Sequence, residues 1–139
     1  DRVPFYAIRT YCDENGLIFH KGEFEDVIQQ ATPIINHFKE KFNRKRPIEI
    51  DKTLNTLPSE TNKTASYPSG HAAQARLVAK YVGGKFPEHE AGLIKAGNEG
   101  GYGRVQAGFH YPSDYDSGNL LGEKMYVFMN KADYKKSNE

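Results

Sequence analysis

The sequence predicts an all-α fold, a helical bundle. Apolar residues recur in three- and four-residue steps, strand-like alternation is nearly absent, and proline and glycine punctuate the chain at helix-length intervals. At 139 residues the chain is the size of one domain, 1–139, with room for a modest core. It contains no internal repeat, low-complexity tract or long linker.

Residues 1–21 carry mixed signals, with Asn15-Gly16 as a turn between short apolar pieces. From Glu23 to about Lys45, Phe24, Val27, Ile28, Ala31, Ile34, Ile35, Phe38 and Phe42 mark an amphipathic helix. Pro33 inside this pattern predicts a kink or a break near Ala31-Thr32, and Pro47 predicts its end. Residues 48–67, rich in Thr, Asn, Ser and Pro, read as a long loop of the kind that often carries function.

A second helix is expected from Ser69-Gly70 through Ala72, Ala75, Leu77, Val78, Tyr81 and Val82, stopping at Gly83-Gly84. Pro87-Glu88 opens another through Ala91, Leu93 and Ile94 as far as Gln106, with Gly97 and Gly100-Gly101 as weak points. The last begins at Pro112, a first-turn proline, and continues through Leu120, Leu121, Met125, Val127 and Phe128.

Nineteen basic side chains balance eighteen acidic ones, so nothing global suggests nucleic acid or an anionic membrane as partner. Any affinity for anions must be local. Cys12 is the single cysteine and cannot form an internal disulfide. No stretch approaches the roughly 18 to 20 apolar residues of a membrane span, and Asp1-Arg2-Val3-Pro4 does not resemble a signal peptide. The chain as given reads as soluble, cytoplasmic or, after removal of a signal, periplasmic.

Three segments carry chemistry. Lys39 and Arg46, seven residues apart, would lie on one helical face about 10 Å apart along the axis, where a point charge and a planar fork can converge on one anion. Alone, with Lys41, Arg44 and Lys45 beside them, they read more readily as a solvated basic face. Ser69-Gly70-His71 reads as a helix start whose free N–H groups can hold an anion, or as an ordinary N-cap beside a surface histidine. His110 and Asp114 are spaced so that the carboxylate can accept the Nδ1 proton, leaving Nε2 as acceptor or nucleophile. Arg104 adds a third cation. On its own this segment reads equally as a capping aspartate beside a core-edge histidine.

In this order, Lys39-x6-Arg46-Pro47, Pro68-Ser69-Gly70-His71 and Arg104-x5-His110-x3-Asp114 resemble the three-part signature of the type 2 phosphatidic acid phosphatase (PAP2) superfamily, which also holds the class A bacterial acid phosphatases and the vanadium haloperoxidases. The resemblance covers about residues 39–121 and leaves 1–21 outside. Ser66-Tyr67-Pro68-Ser69-Gly70-His71-Ala72 and the run from Glu99 to His110 look more like the soluble acid phosphatases than the lipid enzymes. One departure is Gly103, where the family usually has a serine before the arginine; weaker phosphate binding with intact chemistry is the expected result.

The resemblance implies a metal-independent phosphomonoesterase with no cofactor. His110 would be the nucleophile that becomes a phosphohistidine, oriented by Asp114, and His71 the general acid and then base. Lys39, Arg46, Arg104, Ser69 and Gly70 would hold the non-bridging oxygens. Vanadate would bind as a transition-state analogue. The partner implied is a small phosphorylated substrate, with no nucleic acid, no transmembrane segment and room for a homodimer. The competing readings are a lipid phosphate phosphatase, a vanadate-dependent haloperoxidase and a phosphate-binding module without turnover.

Other signals are weaker. Asn62-Lys63-Thr64 is a common sequon, Gly101-x-Gly103 lacks the rest of a dinucleotide fingerprint, and Asp114 with Asp116 fails the calcium-loop spacing. His20, His37 and His89 lack metal-ligand spacing, and the tyrosines and phenylalanines are expected in core and pocket walls.

Overall fold

The computed structural model describes residues 6–18, 21–54 and 64–138, and side chains within 6–18, 22–54 and 64–130. Asp1 to Pro4, His20, Asn62, Lys63 and the middle of the expected 48–67 loop lie outside the described residues. The order is α1 (Tyr6–Glu14), α2 (Lys21–Phe42), α3 (Pro47–Ile50), α4 (Gly70–Lys85), a 3-10 turn (Pro87–His89), α5 (Glu90–Gln106) and α6 (Pro112–Asn138). No strand occurs among the described residues, and none of their helices is long and apolar enough to cross a membrane.

α4 is the hub, packing against α2, α5 and α6. It is flanked by two apolar clusters. Ile8 and Cys12 of α1 join Phe24, Ala75, Val78, Ala79, Val82 and Leu93 in one, and Val27, Ala31 and Ile35 of α2 meet Ala73, Leu77 and Met125 in the other. A helix buried on so many sides needs small residues, and α4 supplies Ala72, Ala73, Ala75 and Ala79. Its neighbours answer with glycines. A Cβ at Gly118 would lie 2.5 Å from the Ser69 carbonyl oxygen, and one at Gly122 2.6 Å from that of Ala73.

Several sequence expectations change. The unassigned N-terminal stretch forms α1, which drives Ile8 and Cys12 into the core. α2 runs unbroken through Pro33. Pro33 and Gln29 are both exposed, so water can serve the Gln29 carbonyl that proline deprives of a donor, and Thr32 Oγ1 donates to Ile28 O at 2.9 Å. α2 ends at Phe42, where Asn43 enters the left-handed region at φ +45°. Pro47 therefore does not terminate α2. It opens α3 at the first helical position, with Glu49 accepting from the Arg46 N–H at 3.2 Å.

α4 also continues past Gly83-Gly84 to Lys85. Those glycines serve packing, since a Cβ would lie 2.9 Å from Glu90 Cγ at Gly83 and 2.7 Å from Tyr126 Oη at Gly84. Likewise α5 does not break at Gly97 or Gly100-Gly101. Gly97 and Gly101 lie against Ala75 and Ala72 of α4.

Candidate functional site

The three chemical segments meet where the start of α4 crosses α2 and α6. Lys39, Arg46, Gly70, His71 and His110 line one cavity of about 200 Å3, together with Thr32, Ile35, Asn36, Thr64 and Gln74. Lys39 and Arg46 converge as expected, but not from one helical face. Arg46 lies beyond the end of α2, in extended backbone before Pro47. Both are buried, Lys39 at 7% exposure and Arg46 at 2%, which rules out a solvated basic face.

Arg46 is held by the backbone around it. Its Nε donates to Thr64 O at 2.8 Å, its Nη1 to Phe109 O at 3.1 Å and its Nη2 to Thr64 Oγ1 at 3.2 Å. Lys39 Nζ donates to Ala65 O at 2.6 Å. Arg104 is buried late in α5, its guanidinium 4.1 Å from the centre of the Phe109 ring. Crowding of cations in a desolvated place disfavours charge. Burial, then Arg46, brings the Lys39 ammonium down to about 8; burial, then Arg104, brings Arg46 to about 10; and burial brings Arg104 to about 10.

Ser69 is the N-cap of α4, its Oγ accepting from the Ala72 N–H at 3.2 Å. It is fully buried and donates its own N–H to Asp114 O at 3.0 Å, so the helix start is fastened to the first turn of α6. Ser69, Arg104 and Asp114 do not line the cavity. At Gly70 a Cβ would meet Ile35 Cγ2 and Lys39 Cε at 3.6 Å, an ordinary contact.

α5 ends with Gly108 in the left-handed conformation at φ +83° and with the Phe109 N–H donating to Arg104 O at 3.0 Å, a helix terminus that turns His110 inward. His110 Nδ1 lies 3.2 Å from Asp114 Oδ2, and Arg46 Nη1 lies 3.3 Å from His110 Nε2. Asp114 is fully buried. Its Oδ2 also accepts from the Ser66 hydroxyl and, at 2.9 Å, from the Tyr111 N–H. Its Oδ1 accepts from Arg44 Nη1 at 2.8 Å.

Burial acts to raise the Asp114 carboxyl, but hydrogen bonds from His110, Ser66 and the Tyr111 amide bring it below the usual carboxylate range. For His110, burial outweighs the support of Asp114, and Arg46 and Lys39 add to it, so the imidazole lies below its ordinary value. His71 is pushed down to about 3 by burial and then by Arg104, His110 and Lys39.

The structure thus brings Lys39, Arg46, Gly70, His71 and His110 to one cavity and buries Ser69, Arg104 and Asp114 outside its lining. Sequence reasoning gave no role to Ser66 and left Arg44 in a generic basic run; no periodicity connects either to Asp114, 48 and 70 residues away. Chemically, the cavity offers cations for an anion, one imidazole braced by a carboxylate, and a second imidazole kept neutral.

No family model matches the chain. It is 36% identical over 87 residues to the non-specific acid phosphatase of Salmonella typhimurium, covering 60% of this chain and 35% of that protein. With the acid phosphatase of Zymomonas mobilis it shares 29% identity over 109 residues, 76% of this chain and 41% of that one. The chain therefore spans well under half the length of these curated relatives. Among solved structures, a transmembrane PAP2-type phosphatidylglycerolphosphate phosphatase from Bacillus subtilis superposes with a TM-score of 0.58 at 22% identity, covering 95% of this chain and 64% of that one, a likeness of fold.

Proposed function

We infer the function of this chain from its membership of the PAP2 superfamily, which its motifs, curated relatives and helical fold support. The reading is a phosphoric monoester hydrolase that works without a metal ion, through a phosphohistidine, on a small soluble phosphate ester.

The observation that carries it is the pair of contacts on His110. Asp114 takes one ring nitrogen and Arg46 donates to the other, beside a cavity whose charged walls are cationic. In the first step His110 Nε2 attacks phosphorus as the ester P–O bond breaks, and His71 gives the leaving alkoxide its proton. In the second, His71 takes a proton from water as that oxygen attacks phosphorus, and the P–N bond breaks to release phosphate. Lys39, Arg46 and Arg104 offset the charge on the equatorial oxygens, with Gly70 and Ser69 shaping the backbone at the helix start. His71 has to be protonated for the first step; burial and then the neighbouring cations hold its pKa near 3, and a phosphate dianion beside it offsets the cations.

Hydrolysis of p-nitrophenyl phosphate in EDTA tests the reading. Vigorous turnover supports it, whereas tight phosphate binding with no turnover makes the chain a binding module. A lipid phosphate substrate is the second reading, favoured by a separate apolar groove of about 250 Å3 lined by Phe38, Phe42, Tyr67, Leu120 and Leu121. Preference for phosphatidate over p-nitrophenyl phosphate would select it.

A further inference from the structure

Asp114 is a fully buried carboxylate whose two oxygens face different ways. Oδ2 collects the His110 ring, the Ser66 hydroxyl and the Tyr111 amide, while Oδ1 meets the Arg44 guanidinium at 2.8 Å. Arg44 is itself braced. The same Nη1 donates to Ser113 Oγ at 2.7 Å, and the guanidinium carbon lies 4.6 Å from the centre of the Tyr67 ring and 5.7 Å from that of Tyr111.

We propose that Arg44 is a positioning residue for the hydrolysis inferred above, fixing the Asp114 carboxylate through Oδ1 so that Oδ2 faces His110 and moderating how strongly that carboxylate attracts a proton to the ring. The proposal rests on the functional reading of the site. Its chemistry is that of a three-member relay, guanidinium to carboxylate to imidazole. A cation on Oδ1 draws charge away from Oδ2, so Asp114 orients the His110 Nδ1–H without making the ring strongly basic. His110 Nε2 then keeps its lone pair in more acidic solution. The tethers of Arg44 also make the contact directional, since one face of the guanidinium is covered by Tyr67 and its edge is shared between Ser113 and Asp114.

Among the described residues, the other charged or titratable groups around this relay are Lys39 from α2, Arg46 before α3 with Glu49 beside it, the neutral His71 from α4 and Arg104 from α5. Lys39 and Arg46 line the cavity, and Arg104 is buried outside its lining. Arg44 differs in touching the carboxylate on the side away from the ring.

The test compares Arg44→Gln and Arg44→Lys with the unaltered protein, by nitrogen-15 NMR titration of the His110 ring and by the pH profile of kcat/KM. Arg44→Gln should raise the His110 titration and the acid limb of the profile by about one unit, with Arg44→Lys returning both most of the way. An unmoved His110 titration in Arg44→Gln overturns the proposal. So does a loss of activity that is equal at every pH and not restored by lysine, which is what a purely structural ion pair would give. If the glutamine variant does not fold, Arg44→Met, which keeps an unbranched stem against Tyr67, is titrated in its place. Titration of the free protein needs no substrate, so a failure of this role is distinguishable from a failure of the hydrolase reading, which would appear as absent turnover in the unaltered protein.

Discussion

Arg46 Nη1 lies 3.3 Å from His110 Nε2, and the contact fixes which nitrogen carries the proton. A guanidinium has only donors, so Nε2 must present its lone pair. The ring proton is then on Nδ1, 3.2 Å from Asp114 Oδ2. His110→Ala should therefore remove both acid-quenched phosphoenzyme and turnover, by at least about 10,000-fold. His71→Ala should lose about 100- to 10,000-fold on alkyl phosphates and less on p-nitrophenyl phosphate, whose leaving group needs little protonation. Rapid-quench labelling with phosphorus-32 separates the two, and persistent labelling in His110→Ala would reassign the nucleophile.

Lys39 should set the alkaline side of phosphate binding. Its ammonium is held at about 8, so it loses charge as pH rises through that value while Arg46 and Arg104, at about 10, remain cationic. Competitive inhibition by phosphate should weaken above about pH 8, and Lys39→Arg should carry the limb upward. Inhibition constants measured from pH 6 to 10 decide it.

Acid should destabilise the fold before it protonates most carboxylates. His71, at about 3, binds fewer protons folded than unfolded between there and its ordinary value of 6.5, so stability increases with pH across that window and is lost on acidification. His110 is shifted in the same direction. Asp114, whose carboxyl is lowered, adds stability above its ordinary 3.8 that is lost below it. Thermal melts should show Tm falling from pH 7 to 4, with a shallower slope in His71→Gln.

Gly103 is a repairable departure. A Cβ there would meet no atom within 4 Å, so Gly103→Ser fits without displacing a neighbour. It should tighten inhibition by phosphate several-fold with kcat little changed, and gain about 0.5 kcal/mol from helix propensity. Inhibition constants and urea melts would register both effects; unchanged phosphate affinity would mean that position 103 does not reach the anion.

Periodicity located α2, α4, α5 and α6 because each has a recurrent apolar pattern that local spacing reveals. Their ends were less legible. Gly83-Gly84 looks like a stop until Glu90 and Tyr126 are brought against it, a relationship made by the tertiary fold and not by neighbouring residues. Pro33 looks like a break until it proves to be on the exposed side of α2, and α1 was hidden because in so short a helix only Ile8 and Cys12 are fully buried, with Ala7 and Tyr11 packed at the edge of the core. In the site, it was the family resemblance and not the spacing of any one segment that grouped Lys39, Arg46, His71 and His110, which line one cavity, while the helix-face geometry assumed for the first two was wrong. Ser66 and Arg44 carry no periodic signal, and their relation to Asp114 exists only after α2, α4 and α6 have packed.

The bond from the Ser69 N–H to Asp114 O, with Gly118 pressed beneath the Ser69 carbonyl, ties the backbone bearing His71 to the backbone bearing the partner of His110. Perturbations at the two histidines are thus not independent in free energy. A change that displaces one end of this strut displaces the other, so His71 and His110 form a single mechanical unit that evolution or design has to retune together.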